Sequence, residues 1–284
     1  MQRLPAQAQS VTPQLREWIA AQARAGCGRD DILQAMHASG WEDAVAHSAL
    51  AQTLPDAAWP LPGPELRDAP SMLQLPDRQV HLLLNLRRPR LLLFAGFLGD
   101  DECDALVALS RPRLARSQTV DQLSGDGEVN AARTSDGMFF ERGEAPLVRR
   151  IEQRIAALLR WPVERGEGLQ VLRYAPGAQY RPHFDDFDPA QPGTAAVLKH
   201  GGQRVGTLLI YLQAPRRGGA TIFPDAGLEV APVKGHALFF GYDRAHASTG
   251  TLHGGAPVLE GEKWIATKWL REGVFGDADS RSNA

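Results

Sequence analysis

From Leu169 onward the chain consists of short runs that favour β-strands, and this pattern constrains the fold more than any other feature of the sequence. Each run is rich in β-branched, aromatic or other apolar residues, and glycine and proline separate the runs. The runs read VLRY, VGTLLIYL, ATIFP, LEVAPV, HALFFGY and KWIATKWL. Such a succession of short strands is typical of an antiparallel barrel or a jelly roll. The sequence therefore predicts an antiparallel β core for this part of the chain.

Two helical patterns and two further strand patterns precede the β-rich part. Leucine and isoleucine recur at helical spacing over residues 145–159, and the run DDECDALVALS after Gly99 has the acidic first turn of a helix N-terminus. The runs HLLLNL and RLLLFAGFL predict strands ahead of the first of these helices. Two helices ahead of many short strands would cover one face of a sheet, so we predict an α+β protein.

The beginning of the chain predicts a separate small unit and a linker. Thr12 and Pro13 form an N-cap and first-turn pair ahead of an apolar helical face, and two further helical patterns follow. Six prolines then follow one another closely, a density that disfavours both helix and sheet. We expect a small helical unit over residues 1–54, a stiff proline-rich linker over residues 55–79 and the main domain over residues 80–284.

The pair His183 and Asp185, at the end of the stretch YAPGAQYRPHFD, has the spacing of two metal ligands. Side chains two residues apart on a β-strand point to the same face, so both can converge on one ion. Two histidines and one carboxylate form the facial triad that holds non-haem iron(II) and leaves coordination positions open. The third ligand must then come from elsewhere in the fold, and His253 lies 70 residues beyond His183.

Two other histidines compete with His253 for the third position. His200 lies in the glycine- and proline-rich segment 188–203, which we expect to be a mobile loop beside the site, and His246 lies shortly before His253. Both are rival ligands on sequence grounds alone. The alternative for the whole arrangement is a surface strand that carries a chance ion pair.

Lys263 follows His253 by ten residues and would place a cation in the same cavity. Taken by itself, a lysine is most often exposed to solvent. A buried ammonium is unfavourable unless an anion meets it. A dicarboxylic co-substrate would supply that anion.

Composition excludes several classes of protein. The net charge of −2, with no basic tract, argues against nucleic acid as the main partner. Two cysteines in unrelated contexts do not form a disulfide framework, which favours a reducing compartment. The first residues lack the cationic start and apolar run of a signal peptide, and apolar stretches fall short of membrane-spanning length. We expect a cytoplasmic protein without membrane contact.

An ordered set of motifs between Phe94 and Leu270 resembles the prolyl 4-hydroxylase branch, of the bacterial type, of the iron(II)- and 2-oxoglutarate-dependent dioxygenases. A histidine and an aspartate two residues apart are common by chance, whereas the ordered set is specific. The motifs are LARSQTV, RTSDGMFFER, GLQVLRYAPGAQYRPHFDDF, RVGTLLIYL, GGATIFP and TLHGGAPVLEGEKWIATKW.

The resemblance implies a double-stranded β-helix, a jelly-roll or cupin-like core with flanking helices, and a set of site residues. Lys263 matches the residue that grips the distal carboxylate of 2-oxoglutarate, and Tyr174 and Thr207 match residues that assist it. The positions that match the metal ligands are His183, Asp185 and His253. The LHGG motif and the step to Lys263 favour the last of these over the rival histidines.

The resemblance also implies a wall for the substrate. Tyr180 and Trp269 match positions that line the substrate proline, and Arg204 is a further candidate for the same wall. Strand periodicity agrees in part, because Lys263 and Trp269 are six residues apart and share one face of the last strand. Core packing is the alternative for both aromatic side chains.

The implied activity is hydroxylation of a proline in a protein or peptide. Iron(II), 2-oxoglutarate and O2 are the implied cofactor and co-substrates, succinate and carbon dioxide are released, and ascorbate is an expected reductant. A second hypothesis keeps this chemistry but changes the substrate to another side chain, a free amino acid or a nucleobase. A third is a catalytically silent β-barrel that serves only in binding, which the intact triad and Lys263 disfavour. The oligomeric state is left open by the sequence.

Overall fold

A computed structural model describes residues 9–24, 27, 29–53, 61–66, 70–117, 119–120, 127–128 and 132–276. The chain divides into two compact units, residues 1–60 and residues 61–284. Parts of the expected linker, residues 55–60 and 67–69, lie outside the described residues, as does Gln118 of the LARSQTV motif.

The described part of the first unit contains three helices, α1 Pro13–Arg24, α2 Arg29–Ala38 and α3 Asp43–Thr53. The hydroxyl of Thr12 accepts a hydrogen bond from the Leu15 amide at 3.1 Å, as an N-cap does. Apolar side chains from all three helices form one small core, which consists of Leu15, Ile19, Ile32, Met36, Ala46, Ala49 and Leu50. The three helical patterns of the sequence therefore correspond to three helices packed together.

The second unit contains most of the regular structure. Its described helices are α4 Asp100–Ser110, α5 Pro146–Leu159 and α6 Thr194–Leu198. Its described strands are β1 Met72–Gln74, β2 Gln79–Leu86, β3 Arg90–Ala95, β4 Ala115–Arg116, β5 Thr119–Val120, β6 Gly127–Glu128, β7 Asp136–Phe140, β8 Leu169–Tyr174, β9 Tyr180–His183, β10 Arg204–Gln213, β11 Arg217–Gly218, β12 Thr221–Phe223, β13 Leu228–Val230, β14 Ala237–Gly241, β15 His253–Gly255, β16 Val258–Glu260 and β17 Lys263–Arg271.

Nine strands form one antiparallel sheet in the order β1-β2-β3-β14-β10-β17-β8-β7-β4. The central strands β10 and β17 are buried along nearly their whole length, and β10 carries a continuous apolar run from Leu208 to Leu212. Helices α4 and α5 cover one face of this sheet. Leu106 of α4 and Ile155 of α5 pack in one core with Val171 and Ile210 of the sheet.

A smaller antiparallel sheet, in the order β13-β12-β15-β9, faces the other side of the large sheet. Phe223 and Val230 of the small sheet share a second core with Leu172, Leu209 and Ile265 of the large sheet. The unit is therefore layered as helices, large sheet and small sheet. This arrangement confirms the α+β class and the double-stranded β-helix core with flanking helices.

Two segments differ from the sequence-based expectation. Strand β1 lies within the range that was expected to be linker. A strand can form there because Pro70 and Pro76 flank it, so the amides of β1 itself remain able to pair with β2. The segment 188–203, expected to be a loop, contains the short helix α6. Neither difference alters the two sheets that carry the site.

Candidate active site

The two histidine ligands of the predicted triad lie opposite each other on paired strands. His183 ends β9 and His253 begins β15, and the two residues are partners in the antiparallel register. Nitrogen atoms of both histidines and a carboxylate oxygen of Asp185 all lie within 4.8 Å of one another. His253 and Asp185 are buried. The described part of the chain contains one such group of histidine and acidic side chains, and it is the predicted one.

Asp185 reaches this group from a loop and not from a strand. We expected it on the same strand as His183, but β9 ends at His183. The hydroxyl of Thr207 donates a hydrogen bond to Asp185 Oδ2 at 2.7 Å, and Arg204 Nη1 donates to the Asp185 backbone carbonyl at 3.1 Å. Two residues of β10 therefore hold Asp185 in place, Thr207 at its carboxylate and Arg204 at its backbone carbonyl. Strand β9 was expected to do this.

The hydrogen bonds of the histidine rings determine which nitrogen can bind a metal. Nδ1 of His183 lies 2.9 Å from the carbonyl oxygen of Arg181, and Nδ1 of His253 lies 2.9 Å from that of Thr251. A carbonyl oxygen only accepts, so Nδ1 of each ring carries a proton, and Nε2 of the neutral imidazole is then the nitrogen with a lone pair for a metal. The Nε2 atoms lie 3.5 Å and 3.6 Å from the carboxylate oxygens of Asp185.

Gly254 permits the close approach of the two strands that carry the histidines. A Cβ atom at this position would lie 2.8 Å from the carbonyl oxygen of Tyr180 and 3.1 Å from the backbone nitrogen of Pro182. Both are main-chain atoms of β9 and cannot rotate away. The packing of β15 against β9 thus requires Gly254, the first glycine of the LHGG motif.

The site favours the protonation states that bind a metal. Burial alone raises the pKa of Asp185, but His253, His183 and Arg204 outweigh it and hold this pKa well below its usual range. Burial, together with His183, lowers the pKa of His253 to about 4. At neutral pH the site therefore presents an ionised carboxylate and a neutral imidazole.

This set of donors fits iron(II). Two imidazole nitrogens and one carboxylate oxygen that converge from one side match the facial arrangement of non-haem iron sites, with positions left for other ligands. An all-oxygen calcium or magnesium site does not match, because two of the three donors are nitrogen. The residues that would hold the metal are His183, Asp185 and His253.

Lys263 lies in the same cavity without an anionic partner. Its side chain is 3% exposed, and no hydrogen bond or ion pair to it occurs in the part of the chain that the structure describes. Its Nζ lies 5.6 Å from the ring centroid of Tyr174, its partner in the register of β17 and β8. Burial lowers the pKa of Lys263 to about 7. An anion that enters the cavity would supply the missing partner.

The cavity lies between the two sheets and brings the metal ligands and Lys263 together. The described residues that line it are Arg133, Leu172, Tyr174, Tyr180, His183, Asp185, Thr207, Leu209, Thr221, Phe240, His253, Gly254, Gly255, Lys263, Ile265, Thr267 and Trp269. Eight of the nine sequence-predicted site residues are in this set, and Arg204 is not.

The positions of Thr207, Tyr180 and Trp269 refine their predicted roles. Thr207, expected to assist 2-oxoglutarate, directs its hydroxyl to Asp185. Tyr180 stacks on the ring of His183 with 3.7 Å between centroids. Trp269 is buried, and its Nε1–H has no hydrogen-bond partner among the described residues, so this donor is available to a bound molecule.

Arg204 lies behind the cavity wall. Its guanidinium bonds to Glu167 at 2.6 Å and 2.9 Å and stacks 4.1 Å from the ring centroid of Trp269. Arg271 donates to the same Glu167 carboxylate at 2.7 Å. Arg204 therefore supports Asp185 and Trp269 from behind, whereas the resemblance implied a place on the substrate wall itself.

Two residues that contact the site, Arg133 and Tyr242, are not among the site residues predicted from the sequence. Arg133 lines the cavity with its guanidinium 5.0 Å from the ring centroid of Tyr180, and it donates to Gln170 at 2.9 Å. It begins the RTSDGMFFER motif, which was the available signal. Tyr242 bonds to Thr207 at 3.0 Å, and no sequence pattern indicates this contact.

Comparison with known proteins places this site in a family. A sequence model described as the 2OG-Fe(II) oxygenase superfamily matches residues 169–271. Prolyl 4-hydroxylase 2 of Arabidopsis thaliana is 39% identical over 211 residues, which cover 66% of this chain and 69% of that protein. Prolyl 4-hydroxylase 1 of the same plant is 42% identical over 202 residues, which cover 65% of this chain and 69% of that protein.

Solved structures give related matches. A viral collagen prolyl hydroxylase from Paramecium Bursaria Chlorella virus-1, in complex with 2-oxoglutarate, is 32% identical with a TM-score of 0.49 and covers 64% of this chain and 95% of that one. The superfamily match spans the strands that carry both histidine ligands and Lys263. The chain belongs to the prolyl 4-hydroxylase branch of the 2-oxoglutarate- and iron(II)-dependent oxygenases.

Proposed function

We propose that this protein hydroxylates proline at C4 within a protein or peptide. The observation that carries the proposal is the joint presence, in one cavity, of the iron-type triad and of a buried lysine that has no anionic partner among the described residues. Relatives about 40% identical are named prolyl 4-hydroxylases, which supports proline as the substrate. The aromatic side chains of Tyr180 and Trp269 beside the metal ligands suit an apolar ring of that size.

The side chains divide the work between binding and orientation. Iron(II) with 2-oxoglutarate supplies the oxygen activation, with release of succinate and carbon dioxide. Lys263 binds the distal carboxylate, which offsets the unfavourable burial of its charge. Burial raises the pKa of Tyr180 to about 12, so its phenol keeps its proton and serves as a neutral hydrogen-bond donor near the substrate. Trp269 offers its unpartnered Nε1–H beside it.

The proposal is tested by identifying the modified atom. The full chain is incubated with iron(II), 2-oxoglutarate and either poly-L-proline or a peptide with a single proline, and products are analysed by mass spectrometry and amino-acid analysis. We expect 4-hydroxyproline, and none with His253→Ala as the control that lacks a metal ligand. Oxygen on another side chain, a free amino acid or a nucleobase would refute the substrate and retain the enzyme class. Absence of 2-oxoglutarate turnover with every substrate would favour a binding module.

The surroundings of the enzyme are part of the proposal. Cys27 and Cys103 are free thiols in the structure, which suits a reducing, cytoplasmic compartment. In the described residues, every helix is too short or too polar to cross a membrane. We further propose that ascorbate sustains turnover, that nucleic acid is not a partner, and that the helical unit within residues 1–60 and the unit of residues 61–284 are separate domains.

A further inference from the structure

Asp185 needs support that the strand ladder does not provide. It lies two residues beyond the end of β9, whereas both histidine ligands lie on paired strands. A carboxylate on a loop can rotate about its side-chain bonds unless other groups hold it. The orientation of this ligand therefore depends on side chains of other elements.

A chain of two hydroxyl groups reaches the Asp185 carboxylate from the interior of the large sheet. Thr207 Oγ1 lies 2.7 Å from Asp185 Oδ2, and the hydroxyl of Tyr242 lies 3.0 Å from Thr207 Oγ1. Both hydroxyl-bearing residues are buried, at 1% and 2% exposure. The contacts cross from the residue after β14, through β10, to the loop after β9.

The direction of these hydrogen bonds follows from the number of protons. An ionised carboxylate only accepts, so the single proton of the Thr207 hydroxyl goes to Asp185. Thr207 then has lone pairs left but no further proton, and Tyr242 must donate to it. Burial raises the pKa of Tyr242 well above its usual range, so the phenol retains the proton that it donates.

Main-chain hydrogen bonds hold the backbone around Tyr242 against strand β10. The Tyr242 amide donates to the carbonyl of Val205 at 3.1 Å, and Thr207 pairs with Phe240 in the register of β10 and β14. The backbone of both hydroxyl-bearing residues is therefore tied to the paired strands β10 and β14, whereas Asp185 lies on a loop. We call these three residues, Tyr242, Thr207 and Asp185, the relay. Its hydrogen bonds connect the large sheet to the carboxylate of the metal ligand.

We propose that Tyr242 is a positioning residue of the metal centre, which fixes the rotation of the Asp185 carboxylate through Thr207. This inference rests on the proposed role of Asp185 as an iron ligand. Donation from Tyr242 also polarises the Thr207 hydroxyl and strengthens its bond to the carboxylate. Loss of either hydroxyl should leave the three donors in place but lower the affinity of the site for a divalent metal.

The test measures metal binding directly. Mn(II), a divalent ion that is stable in air, is titrated into the metal-free full chain, and free Mn(II) is followed by electron paramagnetic resonance. Thr207→Val, which keeps the shape of the side chain, should raise the Mn(II) dissociation constant about tenfold or more. Tyr242→Phe should raise it about fivefold. Thr207→Ser, which keeps the hydroxyl, should restore most of the affinity.

A second buried tyrosine provides a matched control. The hydroxyl of Tyr211, a fully buried residue, donates to Thr221 Oγ1 at 2.8 Å and does not contact a metal ligand. Tyr211→Phe removes an equivalent Tyr–Thr hydrogen bond, so its effect on thermal stability should match that of Tyr242→Phe. Its Mn(II) dissociation constant should equal that of the wild type.

The double variant of Thr207→Val with Tyr242→Phe decides whether the two residues act in series. In a relay, removing the Tyr242 hydroxyl changes nothing further once the Thr207 hydroxyl is gone, so the double variant should match Thr207→Val alone. Additive effects, or a Tyr242→Phe affinity equal to that of the wild type or the Tyr211→Phe control, would overturn the proposal. Failure of the wild-type protein to bind Mn(II) would instead overturn the metal site and the proposed function with it.

Discussion

The lysine in the cavity should make the binding of 2-oxoglutarate depend on pH. Burial lowers the pKa of Lys263 from 10.5 to about 7, so in the empty site its amine is neutral above that pH. A difference of one unit in pKa corresponds to about 1.4 kcal/mol of free energy. Keeping the Lys263 ammonium charged in the empty cavity therefore costs about 5 kcal/mol relative to water. Only the ammonium attracts a carboxylate, so binding above pH 7 must take up a proton.

The predicted size of the effect follows from that protonation step. The dissociation constant of 2-oxoglutarate should change little between about pH 6 and 7 and then rise about tenfold for each pH unit up to about pH 9. Without 2-oxoglutarate, the folded pKa of Lys263 lies below the unfolded value. The free energy of unfolding should therefore rise with pH between about 7 and 10, because the unfolded chain holds the extra proton.

Isothermal titration calorimetry of the Mn(II)-loaded protein, in buffers of different ionisation enthalpy, measures both the affinity and the proton uptake. Lys263→Arg is the matched control, because a guanidinium stays charged throughout this range and should make binding independent of pH. Lys263→Ala should weaken binding at every pH while the metal is retained. A wild-type affinity for 2-oxoglutarate that is constant from pH 6 to 9 would contradict this prediction, since it would show that the empty site already holds a charged amine.

Three further predictions concern the framework of the site. His183→Ala should abolish succinate production through loss of the metal, and unchanged production would contradict the metal assignment. Glu167→Gln leaves two buried guanidinium groups without their carboxylate and should lower the free energy of unfolding, measured in urea, by about 3 kcal/mol or more. Gly254→Ala should raise the Mn(II) dissociation constant at least about tenfold, because its Cβ would clash with the carbonyl of Tyr180 and separate β15 from β9. Wild-type affinity in that variant would show that the strands can separate without moving His253.

The β core could be predicted because its signals are local. The runs that correspond to β8, β10, β14 and β17 are rich in apolar residues and are flanked by glycine or proline. All four form strands of the large sheet. Lys263 and Trp269 share one strand face, so the two-residue period placed both in the cavity. The motif LHGG also located the third histidine, which no spacing rule alone would have selected.

The supports of Asp185 could not be predicted because they join distant parts of the chain. Glu167 and Arg204 are separated by 37 residues, and Tyr242 and Thr207 by 35. Single-sequence patterns report periodicity within an element and do not report which elements meet. The same limit applies to Arg204, which the resemblance made a candidate for the substrate wall, because only the position of Glu167 shows where its guanidinium is directed.

Labelled oxygen shows whether this enzyme couples 2-oxoglutarate turnover to oxygenation of a proline in a peptide. The full chain is incubated with iron(II), 2-oxoglutarate and a peptide with a single proline under ¹⁸O2, and both products are analysed by mass spectrometry. We expect one labelled atom in each 4-hydroxyproline and one in each succinate, with the two products formed in equal amounts. Labelled succinate beside unmodified proline, or the label on another side chain, would contradict this expectation.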